Sequence, residues 1–510
     1  MRRSTLDKHP TVLDDHSTPP PHPNLLPSPK ASSYRMLLEM DRLPAEILGE
    51  ICSFLCVHCQ VRAPDELLFC LTDADKKRES SRDSRALASL CVTSKALRDA
   101  ATPYLYHLFC HQDHHPASFS LKRMKWLLSI HNALRSRPQL VNCIKVMTLP
   151  PHLGSPMIET KDAEILQGIE DDPREREAFL LEARRLEQRL LEDVDLHSFY
   201  ALLLRSARHL ETLRLIFVST APGSETIPDL GKGSLPKLRT LHASWNSAVG
   251  KLSSLLHLLQ AAPHLKTLRL FSPCTLTDDD GIIPQSIDPK LLANITNLTV
   301  CMRMVRAPLA LSLLEGCAPL LAFNLELPGP GTTLFARLDV ARITGDILEK
   351  LCERHGTTLE SLAITTKYRS YGFYRHCPTH NPLILRGFSN LKSLEIPPTL
   401  FMGPNTEATR PDSFFADILP TSLRRLSIAG GVVTKPIRCL STAHLEGLGV
   451  AIDQGRFPYL VTIRVMPWRG GRLSSFRFLD GNIAESWRTR RPGCELITQA
   501  PRQLRDYWTF

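Results

Sequence analysis

The chain of 510 residues contains no apolar run approaching the eighteen or so residues that cross a bilayer. Its opening, Met1-Arg2-Arg3-Ser4-Thr5, lacks the apolar core of a signal peptide. These absences predict a soluble protein of the cytoplasm or nucleus with no membrane partner, and its 14 cysteines are then expected to be reduced. Cys52, Cys91, Cys317 and Cys352 fall inside apolar helical patterns, where cysteine serves as a small core residue. Catalytic signatures are missing as well. There is no phosphate-cradling G-x-x-x-x-G-K-[ST], no G-x-S-x-G elbow and no H-E-x-x-H, and Gly329-Pro330-Gly331 reads as a turn. The chain is therefore expected not to be an enzyme.

Metal-ligand spacing is also sparse. Cys56-Val57-His58-Cys59 is a single C-x-x-C with no second pair at finger distance. Cys110-His111 with His114-His115, and His376-Cys377 with His380, are the other candidate clusters. A structural zinc needs four ligands held together, so no metal and no cofactor is expected, and Cys56 and Cys59 read as the end of a helix. A net charge of +10 is modest for this length and permits an acidic partner. The segment Lys367 to His380 interleaves Tyr368, Arg369, Tyr371, Phe373, Tyr374 and Arg375, a pattern able to stack bases. No nucleic-acid-binding fold accompanies it, so nucleic acid is not an expected partner.

What is present begins after a Pro-, Ser- and His-rich stretch over residues 1–38, expected to be disordered for want of apolar surface to bury. From Leu43-Pro44 onward, apolar residues fall at 47, 48, 51, 54 and 55, one face of a helix whose first turn suits proline. A second amphipathic stretch follows with Leu87, Leu90, Cys91, Ser94, Leu97 and Ala100-Ala101, closed by Pro103. The Leu-Pro opening, Leu90-Cys91-x-x-Ser94 and Pro103-x-Leu105-Tyr106 together resemble an F-box of the filamentous-fungal form over residues 39–110. The resemblance implies docking on a Skp-type adaptor that links the chain to a cullin ligase. It assigns adaptor contacts to Leu43, Pro44, Ile47, Leu48, Ile51, Leu55, Leu87 and Leu90. Residues 56–83 depart from the pattern as an inserted loop far longer than the usual connection.

Beyond residue 119 the chain repeats. The unit is Leu-x-x-Leu-x-Leu after an amphipathic helix, at Leu210/Leu213/Leu215, Leu238/Leu241/Ala243, Leu265/Leu268/Leu270, Ile295/Leu298/Val300 and Ala322/Leu325/Leu327. It continues at Leu359/Leu362/Ile364, Leu391/Leu394/Ile396, Leu423/Leu426/Ile428 and Leu460/Ile463/Val465, with an earlier unit at Val141/Ile144/Val146 after a helix over 120–136. A period near thirty with one short strand per unit predicts an α/β solenoid. Pro138, Pro236, Pro263, Pro319, Pro420 and Pro458 punctuate the switch from helix to strand. The units resemble irregular leucine-rich repeats, which implies a horseshoe over residues 119–510, although the family's Asn or Cys after the third apolar residue is mostly absent. An acidic helical insertion is expected over 159–195, where 13 acids face 6 bases.

Strand alternation turns Arg214, His242 and Arg269 outward, onto the concave face of such a horseshoe. Phe217, Trp245 and Phe271 are expected beside them. Arg214, His242, Trp245, Arg269 and Phe271 are thus the candidate substrate-binding residues, forming a positive ladder for an acidic protein segment. The two resemblances together imply a substrate-recognition subunit of a Skp-cullin-F-box ubiquitin ligase. A repeat scaffold without a ligase role is the alternative.

Overall fold

A computed structural model describes residues 42–60, 74–109, 129–149, 203–217, 229–250, 255–276, 288–302, 307–327, 340–366, 382–397, 411–429, 442–466 and 487–497, with interruptions of a few residues inside some of these spans. The expected tail over 1–38, the acidic helix over 159–195, the Lys367–His380 segment and the clusters at 110–115 and 376–380 lie outside the described residues.

The chain first forms a helical head: α1 (Ala45–Phe54), α2 (Val57–Gln60), α3 (Ala74–Thr93) and α4 (Lys95–Leu105). Pro44 occupies the N-cap of α1, and its carbonyl accepts the Leu48 amide at 3.1 Å. Ser94 caps α4, its Oγ accepting the Leu97 amide at 3.2 Å. Pro103 was expected to end this helix, which instead runs two residues further, to Leu105. The supposed loop over 56–83 is also corrected in part. Residues 57–60 are helical, and α3 begins at Ala74, well before the apolar positions of its second half. Cys52, Cys56, Leu87 and Ala101 close a small core, against which Leu55, Leu90, Cys91 and Tyr104 pack.

After the head come β1 (Leu108–Phe109), β2 (Val146–Leu149), β3 (Thr212–Phe217), β4 (Thr240–Trp245) and β5 (Val249–Gly250). Next are α5 (Leu256–Ala261), β6 (Thr267–Ser272), β7 (Thr275–Leu276), β8 (Asn297–Met302), α6 (Ala307–Gly316) and β9 (Ala322–Leu327). The rest are α7 (Val340–His355), β10 (Ser361–Thr366), β11 (Ser393–Ile396), α8 (Phe414–Ile418), β12 (Arg425–Ala429), α9 (Thr442–Asp453), β13 (Thr462–Met466) and β14 (Glu495–Ile497). Twelve strands make one sheet in the order β1-β2-β3-β4-β6-β8-β9-β10-β11-β12-β13-β14, and every pairing is parallel. Among the described residues, neighbours in the sheet are neighbours in sequence, apart from the short pair β5–β7, which forms a second sheet. The architecture is an α/β solenoid-like stack.

The apolar triads account for this arrangement. Leu213, Leu241, Leu268, Leu298, Phe323, Leu362, Leu394, Leu426 and Ile463 lie in register across the sheet, each at most 2% exposed. One unit differs from expectation. Pairing aligns Leu298 with Phe323 and Val300 with Leu325, so its triad is Leu320/Phe323/Leu325 rather than Ala322/Leu325/Leu327. The earliest unit differs too: Pro138–Cys143 is a 3-10 turn and the strand starts only at Val146. Pro289–Leu291 and Pro382–Gly387 are likewise 3-10 turns where an α-helix was expected.

Two hydrogen-bond ladders hold the units together. In one, a single carbonyl accepts two successive amides of the next unit. Lys145 and Val146 donate to His107 at 3.0 and 2.9 Å, Glu211 and Thr212 to Lys145, and Arg239 and Thr240 to Glu211, a pattern that continues through Arg424. In the other, a polar side chain four residues before the central apolar position reaches back to the preceding unit's backbone. Asn294 donates to the Pro263 carbonyl at 2.7 Å, Thr358 to Leu320 at 3.0 Å, Ser422 to Leu391 at 2.9 Å, and Asn390 to Thr357. These residues satisfy loop carbonyls that would otherwise lose water without a partner.

Candidate functional site

The head presents an apolar stripe along α1. Leu43, Ile47 and Phe54 are 37%, 42% and 73% exposed, and half-buried Ile51 lies between the last two. Pro44 is exposed beside Leu43. The opposite face of α1 is occupied, since Leu48 is 4% exposed and Cys52 is 1% exposed. Among the expected adaptor contacts, Leu48 and Leu87 are therefore corrected: both side chains are spent on internal packing. Leu55 and Leu90 are half-buried against the small core, leaving Leu43, Pro44, Ile47 and Ile51 on or beside the open stripe.

On the sheet, Thr148, Arg214, His242, Arg269, Thr299 and Asn324 form one row of register partners. They point away from the leucine core, because alternate side chains of a strand take opposite faces. Arg214 and Arg269 flank His242 and are half-buried. Phe271 shares their face, its ring stacked 6.4 Å from that of His242. Trp245 and Phe217 do not share it. Both are core residues, 0% and 3% exposed, stacked on each other with centroids 5.2 Å apart. Trp245 is thus corrected as a substrate contact. Residue 245 is three steps from His242, an odd number, and odd steps change face.

His242 also differs from expectation in charge. It is only 6% exposed, and its Nε2 has no hydrogen-bond partner among the described residues. Burial, followed by the adjacent Arg269 and Arg214, holds its pKa well below the usual histidine range. The ladder's positive charge therefore comes from the two arginines alone. Further along the same row stand Glu395 and Arg464, and burial raises the Glu395 carboxyl above its ordinary range, with Arg464 opposing.

A third constellation joins the single C-x-x-C run to a histidine that the sequence did not point to. Cys56, His58, Cys59 and His107 bring one ligand-type atom each to within 4.8 Å of all the others. His107 Nδ1 lies 3.5 Å from Cys56 Sγ and 3.4 Å from Cys59 Sγ, while His58 Nδ1 lies 3.8 Å from Cys59 Sγ. Cys56 directly precedes α2, His58 and Cys59 lie within it, and His107 comes from the junction of α4 with β1. Partial desolvation of the sulfur, then the neighbouring Cys56, pushes the Cys59 thiol up to about 12, although the residue as a whole is solvent-exposed. Burial, then His58 and Lys145, pulls His107 down to about 4. The C-x-H-C run was visible in the sequence, but its partner His107 stands 48 residues beyond Cys59. Among the described residues no helix is long and apolar enough to cross a membrane. Comparison of the chain with models of known protein families finds no match, and comparison with curated proteins finds none either.

Proposed function

We propose that this chain is the substrate-recognition subunit of a Skp-cullin-F-box ubiquitin ligase, with an F-box head that docks the adaptor and leucine-rich-repeat units that hold the substrate. The observation carrying this is the stripe Leu43-Ile47-Ile51-Phe54, left open on α1 while Leu48 and Cys52 are buried. An exposed apolar stripe on a short helix is costly in water and fits a partner's groove. Its position behind a Leu-Pro helix entry matches where the F-box resemblance puts the adaptor. The ligase would supply the chemistry and this chain the proximity.

The substrate is assigned to the row around Arg214, His242 and Arg269. Arg214 and Arg269 are two strand steps apart, about 10 Å. That spacing suits two anionic groups on an acidic or phosphorylated segment, each gripped by a guanidinium fork. Phe271 offers an aromatic surface next to them.

The test is binding of the purified chain to a Skp-type adaptor. Truncating a buried anchor costs ~2 kcal/mol or more, so Leu43→Ala with Pro44→Ala should weaken adaptor affinity by about a hundredfold or more. If the unaltered, folded chain binds no adaptor, the ligase role is wrong and a repeat scaffold remains.

A further inference from the structure

The unexpected Cys/His constellation carries an inference independent of the ligase proposal. Tetrahedral zinc, with Zn–S of about 2.3 Å and Zn–N of about 2.0–2.1 Å, sets sulfur and nitrogen ligand atoms about 3.6 Å apart. Three of the four sulfur–nitrogen separations are 3.4, 3.5 and 3.8 Å, and the fourth, Cys56 to His58, is within 4.8 Å. Ordinary hydrogen bonding accounts for them poorly. A neutral imidazole offers one lone pair or one proton at Nδ1, yet His107 Nδ1 is approached by two sulfurs at once. One cation shared among four donors accounts for these three separations, while Cys56 Sγ also lies 3.6 Å from the Tyr104 carbonyl.

The surroundings fit the same assignment. His58 Nε2 faces Glu211 Oε2 at 3.7 Å, and Glu211 Oε1 is held by Lys145 Nζ at 3.3 Å. A carboxylate on the far ring nitrogen is the usual companion of a metal-bound histidine, fixing the tautomer so that Nδ1 keeps its lone pair. The donor set of two sulfurs and two imidazoles selects zinc among common divalent ions. It fills all four positions, as a structural rather than a catalytic zinc requires.

We propose that Cys56, His58, Cys59 and His107 bind one structural Zn2+ through two thiolates and two Nδ1 atoms, and that this ion fastens the helical head to the first strand of the solenoid. Binding releases the two thiol protons to solvent and leaves a centre without net charge. His107 is the pivotal ligand, since its carbonyl accepts the Lys145 and Val146 amides at 3.0 and 2.9 Å and so begins the backbone ladder.

The experiment uses the full-length chain purified under reducing conditions without chelator. Elemental analysis should find one zinc per chain. Titration of Co2+ into chelator-treated protein should give the red-region absorption of a tetrahedral ion with a thiolate charge-transfer band in the near ultraviolet. Cys59→Ser changes an exposed side chain and should abolish both bands while leaving circular dichroism of the repeats intact. Glu211→Gln should weaken zinc affinity by about 10–100-fold without removing the site. A reduced wild-type chain that takes up neither zinc nor cobalt would overturn the proposal, as would a Cys59→Ser chain that retains full zinc. A Cys56–Cys59 disulfide that persists when zinc and reductant are supplied would also overturn it.

Discussion

His355 offers a direct test of how adjacent units are joined. The side chain is 2% exposed at the end of α7, where its Nδ1 accepts the Leu320 amide at 3.2 Å and its Nε2 donates to the Leu314 carbonyl at 3.1 Å. A carbonyl only accepts, so the ring is neutral with its proton on Nε2. It ties α6, the entry to β9 and α7 together. His355→Leu strands a buried N–H and a buried C=O, each worth about 1–3 kcal/mol when left unmade, so a loss of ~3 kcal/mol is expected. His355→Gln keeps one acceptor and one donor and should recover most of it. Denaturant unfolding gives the totals, and hydrogen exchange should show the loss concentrated in residues 307–327 and 340–366. The pH dependence supplies a second readout. Burial, opposed by the Leu314 hydrogen bond and reinforced by Arg354, lowers the pKa of His355 below 6.5. The folded state therefore holds fewer protons than the unfolded one just below pH 6.5. This contribution to stability is present above that pH and is lost as pH falls toward the folded pKa. His355→Gln removes that slope. A His355→Leu protein as stable as wild type, with unchanged exchange in both segments, would refute the tie.

Two further outcomes separate the face of the sheet from its core. Arg214→Glu with Arg269→Glu should abolish capture of an acidic or phosphorylated substrate, measured by co-purification, with circular dichroism and adaptor binding unchanged; full retention of every partner would remove this row as the site. Trp245→Ala should cost about 3–5 kcal/mol of stability by opening a cavity against Phe217; a variant that loses partner binding but not stability would show the ring to be outside the core.

The sheet was largely legible in the sequence because its signal is local. A Leu-x-x-Leu-x-Leu run states which side chains go in, and period-two alternation fixes the rest. The exception at β9 shows the limit. Leu320/Phe323/Leu325 and Ala322/Leu325/Leu327 obey the same spacing, and only pairing with β8 decides between them. The side-chain ladder of Asn294, Thr358, Asn390 and Ser422 escaped notice because chemically different residues fill one role. On α1, spacing identified an apolar face but not which part of it the head would claim, so Leu48 was counted as open. The Cys/His constellation was the least legible. It depends on α3 and α4 carrying the chain out and back, which returns His107 to α2 from 48 residues away.

The carbonyl ladder running from His107 to Arg424 also bears on how the protein is made. Each strand of the large sheet pairs with the strand before it in that sheet, so every segment leaving the ribosome meets a template already standing. From β3 onward each partner lies about one unit back, so the loop-closure entropy of each step stays near that of a single unit; β2 and β3, separated by residues 150–211, are the exception. The order of the strands suits growth by zippering from the amino-terminal side, with the junction at His107 as its first tooth.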